Sequence, residues 1–144
     1  MSICGELPPF IEVLEGRRKL EFIMKYILLV HHSEEVLHAL SETERNNMLE
    51  ESVQLANQLH ANGQYFDAAP LHPISTAASV KVRDGKPLVT DGPFAETREQ
   101  LGGYFLVDAR DLDEAIAIAG RIPGARIGTV EVRPVKEVAG LPKL

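Results

Sequence analysis

The sequence predicts one α+β domain built from short strands and two amphipathic helices. Two patterns carry this prediction. Apolar, β-branched runs such as residues 25–31 are typical of strands buried in a sheet, whereas apolar residues recur at helical spacing over residues 42–62 and 111–122. The chain has 144 residues, which is long enough for one domain with its own core and too short for two.

The N-terminal residues lie outside this pattern. A signal peptide begins with positive charge and continues with an apolar stretch, whereas the basic cluster here comes late, at residues 17–19. Export through a signal peptide is therefore not expected. Cys4 is the only cysteine in the sequence, so an internal disulfide and a thiolate metal cage are both excluded. The predicted division is an extension at residues 1–23, a domain at residues 24–136 and a tail at residues 137–144.

The first strand and the first helix have recognisable ends. His31-His32 follows the apolar part of the strand predicted at residues 25–31. Ser41–Glu44 has the spacing of a capping box, in which each side chain accepts a hydrogen bond from the first helical turn. Asn62-Gly63 ends the helix because both residues tolerate the left-handed conformation found after helices.

A β-hairpin is predicted next. Asp84-Gly85 separates a strand at residues 75–83 from a second arm at residues 86–90, and a two-residue Asp-Gly loop is typical of a type I′ turn. Pro87 places the second arm at a sheet edge, because proline cannot donate a hydrogen bond to a neighbouring strand.

The remaining elements complete the order of the fold. They are a sharp turn at Asp91–Phe94, a helical turn at residues 96–100, a strand at residues 102–108, a helix at residues 111–122 capped by Asp111, and a strand at residues 128–134. The order predicts the split βαβ, or ferredoxin-like, arrangement with an extra hairpin arm. Two helices cover only one face of such a sheet, so we expect a second copy of the chain to cover the other face in a homodimer.

Charge and motif content exclude several function classes. Fifteen basic against 21 acidic residues give a net charge of −6, which disfavours direct binding to nucleic acid or to anionic membranes. No apolar run approaches the roughly 20 residues of a membrane span, and a cytoplasmic location is expected. No HExxH or GxGxxG motif occurs, so we expect neither a metal nor an organic cofactor.

One run of the sequence resembles a known family. Residues 88–107, LVTDGPFAETREQLGGYFLV, are similar to the signature of the DGPF-domain proteins, a branch of the YCII-related family. The opening MKYILLV and the closing GTVEVRPV resemble the same family, and the similarity covers about residues 24–136. The resemblance implies a dimeric α/β barrel, in which two ferredoxin-like subunits stack their bare sheet faces and a cleft lies between sheet and loops.

The resemblance also bears on function. Members of the family are suspected of being small enzymes, and DGPF proteins often accompany extracytoplasmic-function sigma factors. One branch of the family is proposed to use a His–Asp dyad, but the corresponding residues 44–48, ERNNM, contain no histidine. The dyad therefore does not carry over, and only Asp91, in the DGPF turn, has a counterpart.

Asp91 is the main candidate for a catalytic residue. Its carboxylate can either brace the turn through backbone hydrogen bonds or act as a base at the rim of a cleft, where the apolar ring of Phe94 would raise its pKa. His31 and His32 are candidates for proton transfer, although neighbouring strand residues point to opposite faces and only one of them can enter the cleft. Glu96 is a candidate second carboxylate.

Two functions remain open at this stage. The first is a small cofactor-independent enzyme that moves protons on a small organic molecule. The second is a non-catalytic ligand-binding or regulatory module linked to sigma-factor signalling. In both, the expected pocket lies between the DGPF turn and the end of the first strand, and the expected ligand-binding residues are Gly92, Pro93, Phe94 and Tyr104.

Overall fold

The computed structural model describes residues 24–95 and 97–142. The strands are β1 (Met24–His32), β2 (Tyr65–Pro70), β3 (Ala78–Arg83), β4 (Lys86–Asp91), β5 (Gln100–Ala109) and β6 (Gly128–Pro134). The α-helices are α1 (Glu34–Ala39), α2 (Glu42–Ala61) and α3 (Leu112–Ala119), and short 3₁₀ turns lie at Ile74–Thr76 and Pro123–Arg126. None of the helices in the described part of the chain is long and apolar enough to cross a membrane.

The main sheet has four strands in the order β2-β5-β1-β6, and every neighbouring pair is antiparallel. Helices α2 and α3 follow β1 and β5, so the connections are those of the split βαβ arrangement. The predicted ferredoxin-like α+β fold is therefore confirmed for the single chain.

The core lies between this sheet and helices α2 and α3. Alternate residues of β1, Tyr26, Leu28 and Val30, are buried on the helix-covered face. Leu55 and Leu59 of α2 pack into the same cluster, and α3 contributes Ala115, Ile118 and Ala119. The residues between the buried ones on β1 and β5 point to the opposite, helix-free face.

The second strand of the main sheet was predicted wrongly. It is β2, Tyr65–Pro70, and not residues 75–83. The segment YFDAAP escapes a pattern search because Asp67 and Pro70 interrupt its apolar character. Pro70 is tolerated because β2 pairs only with β5, so its nitrogen needs no hydrogen-bond partner on the free edge. Asp67 is tolerated because it is exposed and accepts a hydrogen bond from Tyr104 of β5.

The predicted hairpin forms, but it does not join the main sheet. Strands β3 and β4 pair only with each other in a separate two-stranded sheet. Asp84 and Gly85 have φ values of 51° and 75°, which is the pair of positive angles that a type I′ turn requires. Val80, Val82 and Val89 lie on one face of the hairpin and are each at least 60% exposed.

Other helices and strands begin or end a few residues away from their predicted positions. Helix α2 has the predicted capping box, whereas α3 ends at Ala119, before a 3₁₀ turn that begins at Pro123. Helix α1, capped by the Ser33 side chain, was not predicted. The described residues 97–100 do not form the helical turn that was predicted at residues 96–100, and β5 begins at Gln100.

Candidate functional site

A cavity of about 650 Å³ lies between α2 and the helix-covered face of the sheet. Such a volume is in the range of small-molecule sites. Its roof is one side of α2, formed by Arg45, Met48, Leu49, Ser52, Val53, Ala56, Asn57 and His60. The sheet and its loops supply the other walls, with Val30, His32, Leu37, Tyr65, Ala68, Ala69, Pro70, Gly102, Gly103, Tyr104, Phe105, Ile122, Pro123, Gly124 and Ile127.

Small residues create this space. Where the cavity lies, the floor carries Gly102-Gly103, Gly124 and the pair Ala68-Ala69 instead of large side chains. The two buried residues of α2, Leu55 and Leu59, both lie in its second half, and its first half has none. The helix is therefore packed on the sheet at its second half only. Since protein interiors rarely leave large voids, a gap of this size is a candidate binding site.

Gly102 makes room for the ring of His32. A Cβ at residue 102 would lie 2.6 Å from Cε1 and 2.9 Å from Cδ2 of His32, and closer still to Nε2. Real Cβ atoms essentially never approach other atoms closer than 3.0 Å. Strands β1 and β5 shift register between Val30 and His31, so Gly102 is the extra residue of a β-bulge. The bulge and the missing side chain together position the imidazole.

His32 has an unsatisfied polar atom. Its Nδ1 is buried, and it has no hydrogen-bond partner among the residues that the structure describes. Buried polar atoms are nearly always paired, so an orphan of this kind needs an explanation. His32 is also one of the residues that line the cavity, so a turn of its ring would present this nitrogen to a ligand as a donor or acceptor.

The other polar groups of the cavity are basic or neutral. Half-buried Arg45 donates from Nη1 to the carbonyl oxygen of Leu40. His60 contacts Tyr65 edge to face, with ring centroids 6.2 Å apart. No aspartate or glutamate is among the described residues that line the cavity. The cavity thus contrasts with the acidic chain as a whole.

Ion pairs and hydrogen bonds outside the cavity hold α2 in place. Arg126 binds Glu51 through two nitrogen–oxygen contacts of 2.9 and 3.0 Å, and Arg121 donates to Gln58. Both bonds join α2 to the segment between α3 and β6. The capping box at the other end of the helix uses bonds of 2.9 and 3.1 Å. The two arginines therefore tie the middle and the second half of α2 to the rest of the fold, whereas the capping box stabilises only the first turn of the helix itself.

The two candidate histidines lie on opposite faces, as strand geometry requires. His32 lines the cavity. His31 lies on the helix-free face, where its Nε2 is 3.3 Å from Oε1 of Glu131. Of the two, only His32 is near the cavity.

The DGPF turn lies apart from the cavity of its own chain. Asp91 is exposed at the end of β4, and neither it nor Gly92, Pro93 or Phe94 lines the cavity. The Phe94 side chain is 88% exposed. Ser79 holds the turn by donating to the carbonyl oxygen of Gly92, whereas no hydrogen bond to the Asp91 carboxylate occurs within the described residues.

The other two candidates have different outcomes. Tyr104 is among the lining residues, but its hydroxyl donates to Oδ2 of Asp67 at 2.6 Å, and this bond raises the pKa of Tyr104. Glu96 lies outside the described residues, as does Cys4. Within the described residues, no group of three or more histidine, cysteine or acidic side chains is arranged to hold a metal ion.

Sequence reasoning missed most of the cavity. Arg45 and Met48 were seen only as positions on a helix, since nothing in the sequence shows that this half of α2 stands away from the sheet. In the sequence, only the glycine pair Gly102-Gly103 indicated an irregularity at this place. Glycines inside a strand often mark a bulge or a close approach of another group, and here they mark both.

The fold and the cavity define a small ferredoxin-like α+β domain with space for one ligand. Residues 24–139 match the YCII-related domain family. A protein of Rhizobium meliloti (strain 1021), described as "Uncharacterized protein R00369", is 35% identical over 114 residues, which cover 78% of this chain and 92% of that protein. The chain therefore belongs to the YCII-related family.

Proposed function

We propose that this protein binds a small organic molecule in the cavity under α2. The observation that carries the proposal is a cavity of about 650 Å³ with mostly apolar walls, bordered by His32, whose buried Nδ1 has no hydrogen-bond partner among the described residues. Apolar walls with few polar groups are typical of small-molecule sites, because the walls supply affinity and the polar groups fix orientation. The ligand would bury an apolar body and hydrogen-bond to His32.

A fragment screen observed by NMR on the isotope-labelled protein tests this proposal. Ser52→Trp fills the cavity from α2, whereas Gln54→Trp places the same ring on the exposed side of the helix as a matched control. We expect fragment-induced shifts to cluster on residues of the cavity in the wild type and in the control, and to vanish in Ser52→Trp. Shifts confined to the hairpin or to the helix-free sheet face would refute the proposal.

A cofactor-independent enzyme is the second candidate. The same nitrogen of His32, unpartnered within the described residues, favours it, since an imidazole beside a bound substrate can take a proton from it. Incubation with metabolite pools followed by mass spectrometry would detect turnover. Loss of turnover in both His32→Gln and Asp91→Asn would support the proposed proton transfer, and turnover that survives in both would exclude it.

The helix-free sheet face is proposed to join two copies of the chain. Ile27, Leu29 and Leu106 form a half-buried apolar stripe at its centre, and Leu101 extends the stripe with 40% exposure. Polar contacts surround it: Lys25 with the Phe66 ring, His31 with Glu131, Tyr104 with Asp67, and Thr129 with Glu99. An apolar centre with a polar rim is the usual anatomy of a protein interface.

Light scattering on variants tests the homodimer. Leu29→Asp and Leu106→Asp place a charge in the apolar stripe, and we expect both to shift the protein to the monomer mass. Leu112→Asp is the control, because this leucine is 50% exposed on α3, away from the face. A wild type that has the monomer mass at high protein concentration would refute the dimer.

We also propose the finer assignments that the sequence suggested. The run LVTDGPF supports membership in the DGPF branch of the family. A cytoplasmic location and a link to sigma-factor signalling follow from that branch and from the sequence, and they remain predictions. Localisation of a tagged chain and co-purification with a sigma factor would test them.

A further inference from the structure

We infer that the ligand of the cavity is a small organic acid, with a carboxylate that binds Arg45 and an apolar body that lies on the glycine- and alanine-rich floor. The inference rests on the proposed function and adds the chemical class of the ligand. It depends on the charges that line the cavity, on the bonding of Arg45 and on the shape of the floor.

The charges of the cavity favour an anion. The chain has 21 acidic residues, but none of them is among the described lining residues, whereas Arg45, His32 and His60 are. Arg45 is the only arginine, lysine or acidic residue among the described lining residues, so the permanent charge that a ligand meets in the cavity is positive. A cationic ligand would find no counter-charge there.

Arg45 has bonding capacity left. Within the described residues, no carboxylate lies within ion-pair distance of its guanidinium, and its donated bonds run from Nη1 to backbone carbonyl oxygens of α1 and the residue after it. A guanidinium is always charged and carries five N–H donors. The bonds from Nη1 fix the side chain at the cavity wall, and the N–H groups of Nη2 and Nε remain for a planar anion. A carboxylate is the anion whose geometry matches that fork.

The floor favours an apolar body. Ala68, Ala69 and the pair Gly102-Gly103 present backbone and methyl groups, and Met48 and Val53 face them from α2. A flat or branched hydrocarbon would fill this space, whereas a sugar or a phosphate ester would leave many polar groups unpaired. An aromatic or branched aliphatic monocarboxylic acid satisfies both parts of the cavity.

Paired probes test the inference without relying on a variant. A panel of aromatic and branched aliphatic acids, such as 3-phenylpropionate, is titrated beside the neutral amides of the same acids, with binding followed by NMR or calorimetry. We expect at least one acid to bind about tenfold or more tightly than its amide, because hydrogen bonds to charged groups are the stronger ones.

Two arginine variants locate the charge. Arg45→Gln should bring the affinity of the acid down to that of its amide, and Arg45→Lys should restore part of the difference. Arg83→Gln removes the same charge from the exposed hairpin and should leave the difference intact. Amides that bind the wild type as tightly as their acids would overturn the carboxylate inference and leave cavity binding standing. If neither set binds at millimolar concentration, both proposals fail.

Discussion

Replacing Gly102 with alanine would displace the His32 ring without altering any other side chain. The new Cβ would lie 2.6 Å from Cε1 and 2.9 Å from Cδ2 of the imidazole, well inside the 3.4 Å at which ordinary contact begins. The ring has to move by several tenths of an ångström or more. The ring is the end of a side chain that borders the cavity, so it can turn away, and we expect a cost at the lower end of overpacking penalties, about 1 kcal/mol. At about 4 °C per kcal/mol for a domain of this size, the melting temperature should fall by roughly 4 °C.

The cause of this loss can be isolated in a double-mutant cycle. In a His32→Ala background the atoms nearest to the new Cβ are absent, so we expect Gly102→Ala to cost much less there, and alanine also loses less backbone entropy than glycine on folding. The coupling free energy between the two sites should then be about 1 kcal/mol. Urea unfolding of the wild type, both single variants and the double variant gives this number.

The same cycle reports on the cavity. Fragment binding should weaken in Gly102→Ala, since the ring whose Nδ1 is unpartnered has been moved, and the backbone amide shifts of β1 should change near His32. Additive effects of the two substitutions on stability would refute the reasoning. They would mean that the ring does not occupy the space next to Gly102 in solution.

Three further predictions follow from the fold. Gly128→Ala should destabilise the protein by about 2 kcal/mol or more in thermal unfolding, because its Cβ would enter the backbone of β1 at the His31 carbonyl. Gly120→Ala is the comparison: its neighbours lie at 3.6 and 3.7 Å and its φ is helical at −66°, so it should be neutral or stabilise by about 0.4–1 kcal/mol. Ser41→Ala removes the capping box of α2 and should cost about 1 kcal/mol, with an unchanged melting temperature contradicting it. Burial raises the pKa of Asp108 above 3.8, so the stability that the protonated carboxyl group contributes below that pH is lost as the pH rises. Asp108→Asn should therefore raise the melting temperature at pH 7, with a gain that shrinks toward pH 3.8, and a gain independent of pH would contradict this cause.

Local chemistry made part of the fold predictable. The capping box at Ser41–Glu44 and the turn at Asp84-Gly85 are bonded within a few residues, so their sequence patterns were enough and the structure confirms both. The strand β2 depends on tertiary context: its position at a sheet edge makes Pro70 acceptable, and Tyr104 of the neighbouring strand binds Asp67. Sequence pattern cannot report that position, and the strand was assigned to residues 75–83 instead.

The cavity was unpredictable for a related reason. Its volume results from the way α2 rests on the sheet through Leu55 and Leu59 while its first half stands clear. The amphipathic pattern of a helix predicts which side faces the core and says little about how closely that side packs. Only the glycine pair in β5 indicated that something approaches the strand closely, and that something is the ring of His32.

The positions of Asp91 and His32 connect the choice between enzyme and binding module to the assembly. In one chain Asp91 is exposed at the end of the hairpin and does not line the cavity that holds His32. The faces proposed to meet in the dimer lie across the sheet from this cavity, so a second copy supplies the carboxylate only if its hairpin, a separate sheet with an exposed apolar face, passes around the sheet edge to the helix-covered side. An isolated two-stranded hairpin is at best marginally stable, which favours a second copy that covers its apolar face. A shared site of this kind makes a specific prediction for any turnover that the metabolite screen detects.

That prediction is complementation between two inactive variants. Asp91→Asn keeps His32, and His32→Gln keeps Asp91, so a mixed dimer of the two contains one complete site and one doubly defective site if the residues act across a two-fold contact. Random pairing makes half of the dimers mixed, and the mixture should regain about one quarter of the wild-type turnover after unfolding and refolding together. Each variant refolded alone should stay inactive. No recovery in the mixture would show that Asp91 and His32 do not form a site between copies, and with Asp91 outside the cavity of its own chain, His32 would then be the candidate that remains for proton transfer in that cavity.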